Sequence, residues 1–167
     1  MKTLILLRHG KSDWGADFSR DHDRPLNPRG ERSAKLIGRF LQKVGQVPDA
    51  VVASTAVRAH TTAQLAAEAG DWDRTIATER SLYASDPDTV LSVIQGIDDA
   101  HGSLLLAGHE PTWSSLAGQL IGQGSLKVVT ATLVRIDFFH ERWRDINPGT
   151  GTLVWMLPPR LLEAAMD

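Results

Sequence analysis

The chain contains no cysteine. That absence excludes disulfides, thiolate zinc sites and a cysteine nucleophile, and it suits a reducing compartment such as the cytoplasm. Long apolar runs are missing as well. The strip Leu4-Ile5-Leu6-Leu7 is stopped by Arg8 and His9. It falls far short of the roughly 20 residues a membrane helix needs, and it does not read as a secretory signal. Strong charge of one sign is also lacking, since the formal net charge is −2, so nothing favours nucleic acid or a membrane surface as a partner. No two histidines have the spacing of a His-Glu-x-x-His zinc site, and no Gly-x-x-x-x-Gly-Lys-Ser/Thr loop exists. With no repeat, linker or low-complexity tract, one cytoplasmic domain over residues 1–167 is expected, with no metal and no cofactor.

What is present is an alternation of short apolar runs with helical patterns, the signature of an α/β fold around a mainly parallel sheet. Thr3 to Leu7 reads as the first strand. Asn27 as N-cap, Pro28 at the first helical position and Gly45 just past the end bracket a helix. Its apolar face is expected at Leu36, Ile37, Phe40, Leu41 and Val44. Ala50 to Ala53 reads as a strand, followed by a helix capped by Ser54 or Thr55 and ending at Ala69 before Gly70. A short strand is expected near Thr75 to Ala77. Asp86-Pro87 opens a further helix that ends near Gly96. Ser103 to Ala107 is a buried strand, followed by a helix entered at Pro111. Val128 to Phe138 and Thr152 to Met156 read as the last strands, joined by a turn containing Gly149 and Gly151.

Three strand ends carry polar residues that a core rejects: Arg8-His9-Gly10, Ser54 through Arg58, and Gly108-His109-Glu110. In open α/β sheets ligands bind beyond the carboxyl ends of the strands, so these segments are expected to meet in one crevice. Two guanidiniums and two imidazoles form a cationic pocket with fork-shaped donors, which matches a tetrahedral oxyanion such as phosphate. Helices starting after Ser54 and after His109 are expected to add backbone N–H groups. Gly10, lacking a Cβ, is expected to let the backbone approach the phosphate, and Ser12 to donate a hydrogen bond to it. His9 is the best nucleophile available, with Arg8, Arg58 and His109 holding the charge on the equatorial oxygens. Trp14 and Trp113 are expected at the pocket wall. His22, His60, His101 and His140 are expected on the surface.

At this point the residues are recognisable. Leu4 to Trp14 (LILLRHGKSDW), Arg24 to Gly30 (RPLNPRG), Ser54 to Thr62 (STAVRAHTT), Leu82 to Ser85 (LYAS) and Gly108 to Pro111 (GHEP) together resemble the SixA-like phosphohistidine phosphatases of the histidine phosphatase superfamily. The resemblance implies a phosphoglycerate mutase-like α/β/α sandwich of three layers and no cofactor. It implies a phosphate pocket of Arg8, His9, Arg58 and His109, with His9 phosphorylated in the cycle. The chain departs from the pattern at Glu110, where many relatives have Asn. Larger members supply an acidic proton donor, and Glu79 is the nearest candidate here. The implied substrate is a phosphohistidine, for example on a protein; the alternatives are a small phosphomonoester or a catalytically silent phosphate-binding protein.

Overall fold

The computed structural model describes residues 1–166. Lys2–Arg8 forms β1, Ala50–Ser54 β2, Ile76–Glu79 β3, Ser103–Gly108 β4, Leu133–Phe138 β5 and Gly151–Leu157 β6. They make one sheet in the order β3-β2-β4-β1-β5-β6. The first four strands in that order run parallel; β5 is antiparallel to β1, and β6 is antiparallel to β5 and so runs in the direction of β1. Alternation along β1 explains how both faces are filled. Leu4 and Leu6 enter one apolar core, whereas Ile5 and Leu7 enter the other. A strand buried on both sides must be apolar at every position, which is why this segment lacks the usual polar alternation.

The helices are Pro28–Lys43 (α1), Val57–Ala69 (α2), Pro87–Gln95 (α3), Thr112–Leu120 (α4) and Pro159–Met166 (α5). Residues of α1, α2 and α5 pack into the core of Ile5 and Leu7, and those of α3 and α4 into the core of Leu4 and Leu6. The expected three-layer sandwich around a mainly parallel sheet is therefore the fold observed. Among the described residues no helix is long and apolar enough to cross a membrane.

Several local expectations need correction. The buried face of α1 is Gly30, Ser33, Ala34, Ile37, Gly38 and Leu41, while Leu36 and Phe40 are half-buried and Val44 is exposed. Small residues matter there because α1 lies directly on α2: a Cβ on Gly38 would collide with the carbonyl of Ala66. The periodicity of large apolar residues points to a neighbouring stripe, since it gives Gly and Ala no weight. Neither Ser54 nor Thr55 caps α2, whose N-cap is Ala56 without a side-chain cap bond. Val128 to Thr132 is a loop and not the start of β5. Ala131 has a positive φ of 59°, and its N–H turns to the carbonyls of Arg8 and His9 at 3.1 Å. Finally, α5 was not foreseen.

Candidate active site

The crossing pattern puts β2, β4 and β1 side by side, so their carboxyl ends are neighbours. Arg8 of β1 pairs with Gly108 of β4, and Ala53 of β2 pairs with Ala107. His9, Ser54 and His109 therefore leave the sheet at one level. His9 N donates to Gly108 O at 3.0 Å, which continues the ladder one residue beyond the strand. The His9 and His109 ring centroids stand 5.2 Å apart. Arg8, His9, Arg58 and His109 line a single cleft of about 220 Å³, together with Lys11, Ser12, Trp14, Arg24, Glu110 and Thr130.

His9 is held in one tautomer. Its Nδ1 lies 2.7 Å from the carbonyl of Gly10. A carbonyl only accepts, so Nδ1 carries the hydrogen and Nε2 of the neutral ring keeps its lone pair. Burial, with the added repulsion of Arg58, Arg8 and Arg24, pushes the His9 pKa down to about 4 against the favourable Gly10 contact. The ring is neutral at pH 7. His109 is also pushed down, to about 3, by burial first and then by His9 and Arg58. Its Nε2 is 2.9 Å from Ser54 Oγ, and Ser54 Oγ in turn accepts from Ala56 N at 3.3 Å. Ser54 Oγ, with one donor and two acceptor sites, can serve either tautomer of His109, so this contact fixes the position of the ring and not the site of its hydrogen.

Nδ1 of His109 has no partner, and the same is true of Nε of Arg8, Arg24 and Arg58; all four atoms are buried. Orphaned buried donors are costly in a finished interior, about 1–3 kcal/mol each. Three guanidiniums and two imidazoles on one cleft suit an anion rich in acceptor oxygens.

Arg24 belongs in this group, although sequence reasoning treated it only as part of a motif. It is 6% exposed. Its Nη1 donates to Ser12 Oγ and its Nη2 to Asp21 Oδ1, each at 2.9 Å. Asp21 is a second missed residue. Arg58 grips it through Nη1 to the backbone carbonyl and Nη2 to Oδ2 at 2.9 Å, and Tyr83 Oη donates to the same Oδ2 at 3.0 Å. Burial alone would raise the Asp21 carboxyl; Tyr83, Arg58 and Arg24 outweigh it and hold the group below the usual carboxylate range. The acid–base spacing of Asp21 and Arg24 was a readable hint, but a loop offers no periodicity to say which way such side chains turn.

Other expectations divide. Ser12 lines the cleft, with its oxygen accepting from Arg24. Gly10 does not line it: its N–H donates to Thr62 Oγ1 at 2.9 Å, and a Cβ there would sit 2.7 Å from Gly30 O. Glycine is needed at position 10 for that close packing and not for phosphate approach. Glu79 is not among the cleft residues either. Its Oε1 accepts from Ser81 N at 2.9 Å and Ser81 Oγ at 2.8 Å, and those two bonds keep it ionised. The Glu79 carboxylate is turned to Ser81 and does not line the cleft. Glu110 lines the cleft but is spent on the start of α4, accepting from Ser114 N at 2.9 Å and Ser114 Oγ at 2.6 Å. That helix start is therefore occupied by its own carboxylate. Trp113 is fully buried against Gly108, so of the two tryptophans expected at the wall only Trp14 is there. His22 is not a free surface group, since Nε2 meets Thr55 Oγ1 at 2.9 Å and its ring lies edge-on to Tyr83. His60, His101 and His140 are half-buried. Among the described residues no three His, Cys, Asp or Glu side chains gather as a metal ligand set.

An α/β sandwich with a neutral imidazole in an arginine-lined cup at its strand ends defines a protein built for phosphoryl chemistry. The family model described as histidine phosphatase superfamily, branch 1, matches residues 4–83, and the chain belongs to that superfamily. An uncharacterized protein of Mycobacterium leprae is 40% identical over 166 residues, covering 92% of this chain and all of that one. The crystal structure of a candidate phosphohistidine phosphatase SixA from Agrobacterium tumefaciens is 28% identical with a TM-score of 0.79, over 95% of this chain and 98% of that one. A protein histidine phosphatase SixA complexed with tungstate shares the fold at a TM-score of 0.83 and 21% identity, over 96% and 99% of the two chains. Family and site together support a phosphatase, of SixA-like architecture.

Proposed function

We propose that this chain hydrolyses phosphohistidine on a protein, through a phosphohistidine formed on its own His9. The observation that carries the reading is the Nδ1–Gly10 contact, which leaves Nε2 of a neutral ring as the free nucleophile at the cleft. In the first step the Nε2 lone pair bonds to phosphorus while the bond from phosphorus to the leaving nitrogen breaks. The departing imidazole keeps that electron pair and the proton already on its other nitrogen, so it leaves as a neutral ring. This is why the absence of an acid at Glu79 is tolerable for a phosphoramidate. Arg8, Arg24, Arg58 and His109 hold the three equatorial oxygens, where charge is spread in the transition state. In the second step water attacks phosphorus, the P–N bond to His9 breaks and inorganic phosphate departs, restoring the ring.

A protein substrate is favoured by the mouth of the cleft, where Trp14 stands 70% exposed instead of closing over the ligand. The test is incorporation of labelled phosphate, which should be acid-labile, base-stable and map to His9. The His9→Ala variant should lose at least about a thousand-fold in turnover. Comparison of kcat/KM for a phosphohistidine peptide with that for small phosphomonoesters decides the substrate class. Turnover without His9 labelling, or a preference for the esters, defeats the reading.

A further inference from the structure

Trp14 is out of place by the ordinary logic of burial. Trp113 and Trp143 are fully buried and Trp72 is 7% exposed, yet Trp14 is 70% exposed while also lining the cleft. It is not loose. The Arg24 guanidinium carbon lies 3.5 Å from its ring centroid, a cation–π stack that covers one face of the indole. Arg24 is itself fixed by Ser12 and Asp21. The backbone on either side is pinned too: Asp13 N donates to Pro25 O at 2.9 Å, and Gly15 N donates to Asp13 Oδ1 at 2.9 Å. One indole face is thus clamped on a buried cation while much of the ring stays bare at the cleft.

The direction of the chemistry supplies the occupant. A group leaving phosphorus departs in line with and opposite to His9 Nε2, hence away from the floor of the cup and past its rim. Among the cleft residues Trp14 is the only Phe, Tyr or Trp. We propose that Trp14, seated on Arg24, is the leaving-group platform of this enzyme. Its uncovered indole surface stacks on the planar ring from which phosphate is taken, and so selects imidazole over aliphatic amines or alcohols. The chemistry of the stack favours this occupant. A planar imidazole ring can cover the uncovered face of the indole, whereas an alkyl chain touches it only along its length. The inference rests on the reading of this site as a phosphohistidine phosphatase and adds the residue that sets its preference.

The decisive measurement uses two peptides of the same flanking sequence, one bearing phosphohistidine and the other phospholysine. Both present a P–N bond, and they differ in whether the leaving group is a planar ring. The readout is the ratio of their kcat/KM values in the wild type, Trp14→Ala and Trp14→Phe. Trp14→Ala should lower the ratio about five- to ten-fold, in keeping with one aromatic stack, and Trp14→Phe should restore most of it. A loss shared equally by both peptides would mean that Trp14 merely props Arg24, and an unchanged ratio would mean it does nothing; either result overturns the platform. If the wild type prefers esters, the phosphohistidine reading fails and this inference fails with it. If it forms no phosphoenzyme and turns over nothing, the functional assignment has failed and this inference fails with it. Good wild-type turnover with an unmoved ratio removes the platform alone.

Discussion

Acidification from pH 7 to pH 5 should leave phosphorylation of His9 almost untouched. A histidine at the ordinary value of 6.5 would be neutral in only about one molecule in ten at pH 5.5, whereas one at about 4 is neutral in about 97%. The nucleophile should therefore run some ten-fold faster at that pH than an unperturbed imidazole could. Quenched-flow incorporation of label across pH 3.5 to 8, with the ionisation of the phosphodonor measured in parallel, should place the acid limb near 4. The same shift governs stability. The unfolded chain takes a proton on His9 near pH 6.5 and the folded one only near 4, so in that window the unfolded state binds more protons and stability falls as pH falls. The 2.5-unit gap is worth about 3 kcal/mol, lost progressively from about pH 6.5 to 4, with no contribution above about pH 7. His109 acts in the same sense down to about pH 3. Denaturant titrations should show His9→Asn flattening this slope. An acid limb centred near 6.5, or a slope that His9→Asn leaves intact, would refute the buried neutral nucleophile.

Other perturbations separate the roles of neighbouring groups. Arg58→Ala should cost at least about a hundred-fold in kcat/KM, since it removes a donor to the equatorial oxygens and frees Asp21; phosphate-release assays would read it. Glu79→Gln should change kcat/KM by less than about three-fold, because that carboxylate serves Ser81; a hundred-fold loss would reinstate it as the acid. Gly38→Ala should destabilise the fold by about 2 kcal/mol in chemical denaturation, even though alanine ordinarily stabilises a helix interior, because its Cβ would meet the Ala66 carbonyl. Turnover should be unaltered by a chelator, and a metal-dependent rate would contradict the charge-holding role given to the arginines.

The sequence made the strand ends legible because polar residues directly after apolar runs have few structural explanations, and three such places in one chain point to one crevice. Helices with an Asn or Asp cap followed by proline were equally plain, at Asn27-Pro28 and Asp86-Pro87. The start of α2 was misread because Ser54 has the composition of a cap but spends its hydroxyl on His109, a partner 55 residues away. The loop at Val128 was misread because extended propensity there is overridden by hydrogen bonds to the end of β1. Arg24 and Asp21 were overlooked as site residues for a related reason: in a loop, the direction of a side chain is set by distant partners. Glu79 is suggested by its nearness to a motif, and its bonds to Ser81 turn it away from the cleft lining.

The two imidazoles are spaced by a parallel strand pair and not by loops. Because Arg8 and Gly108 are register partners, the gap between the reactive ring and its helper is inherited from main-chain ladder geometry, which side-chain mutation barely touches. The rim, in contrast, is made of segments such as Lys11 to Leu26, which closes on itself through the Ser12–Leu26 bridge but belongs to no strand of the sheet. Descendants of such a molecule can exchange rim residues, and with them their choice of target, while the transfer apparatus stays in tune. Drift in specificity should thus outpace drift in rate.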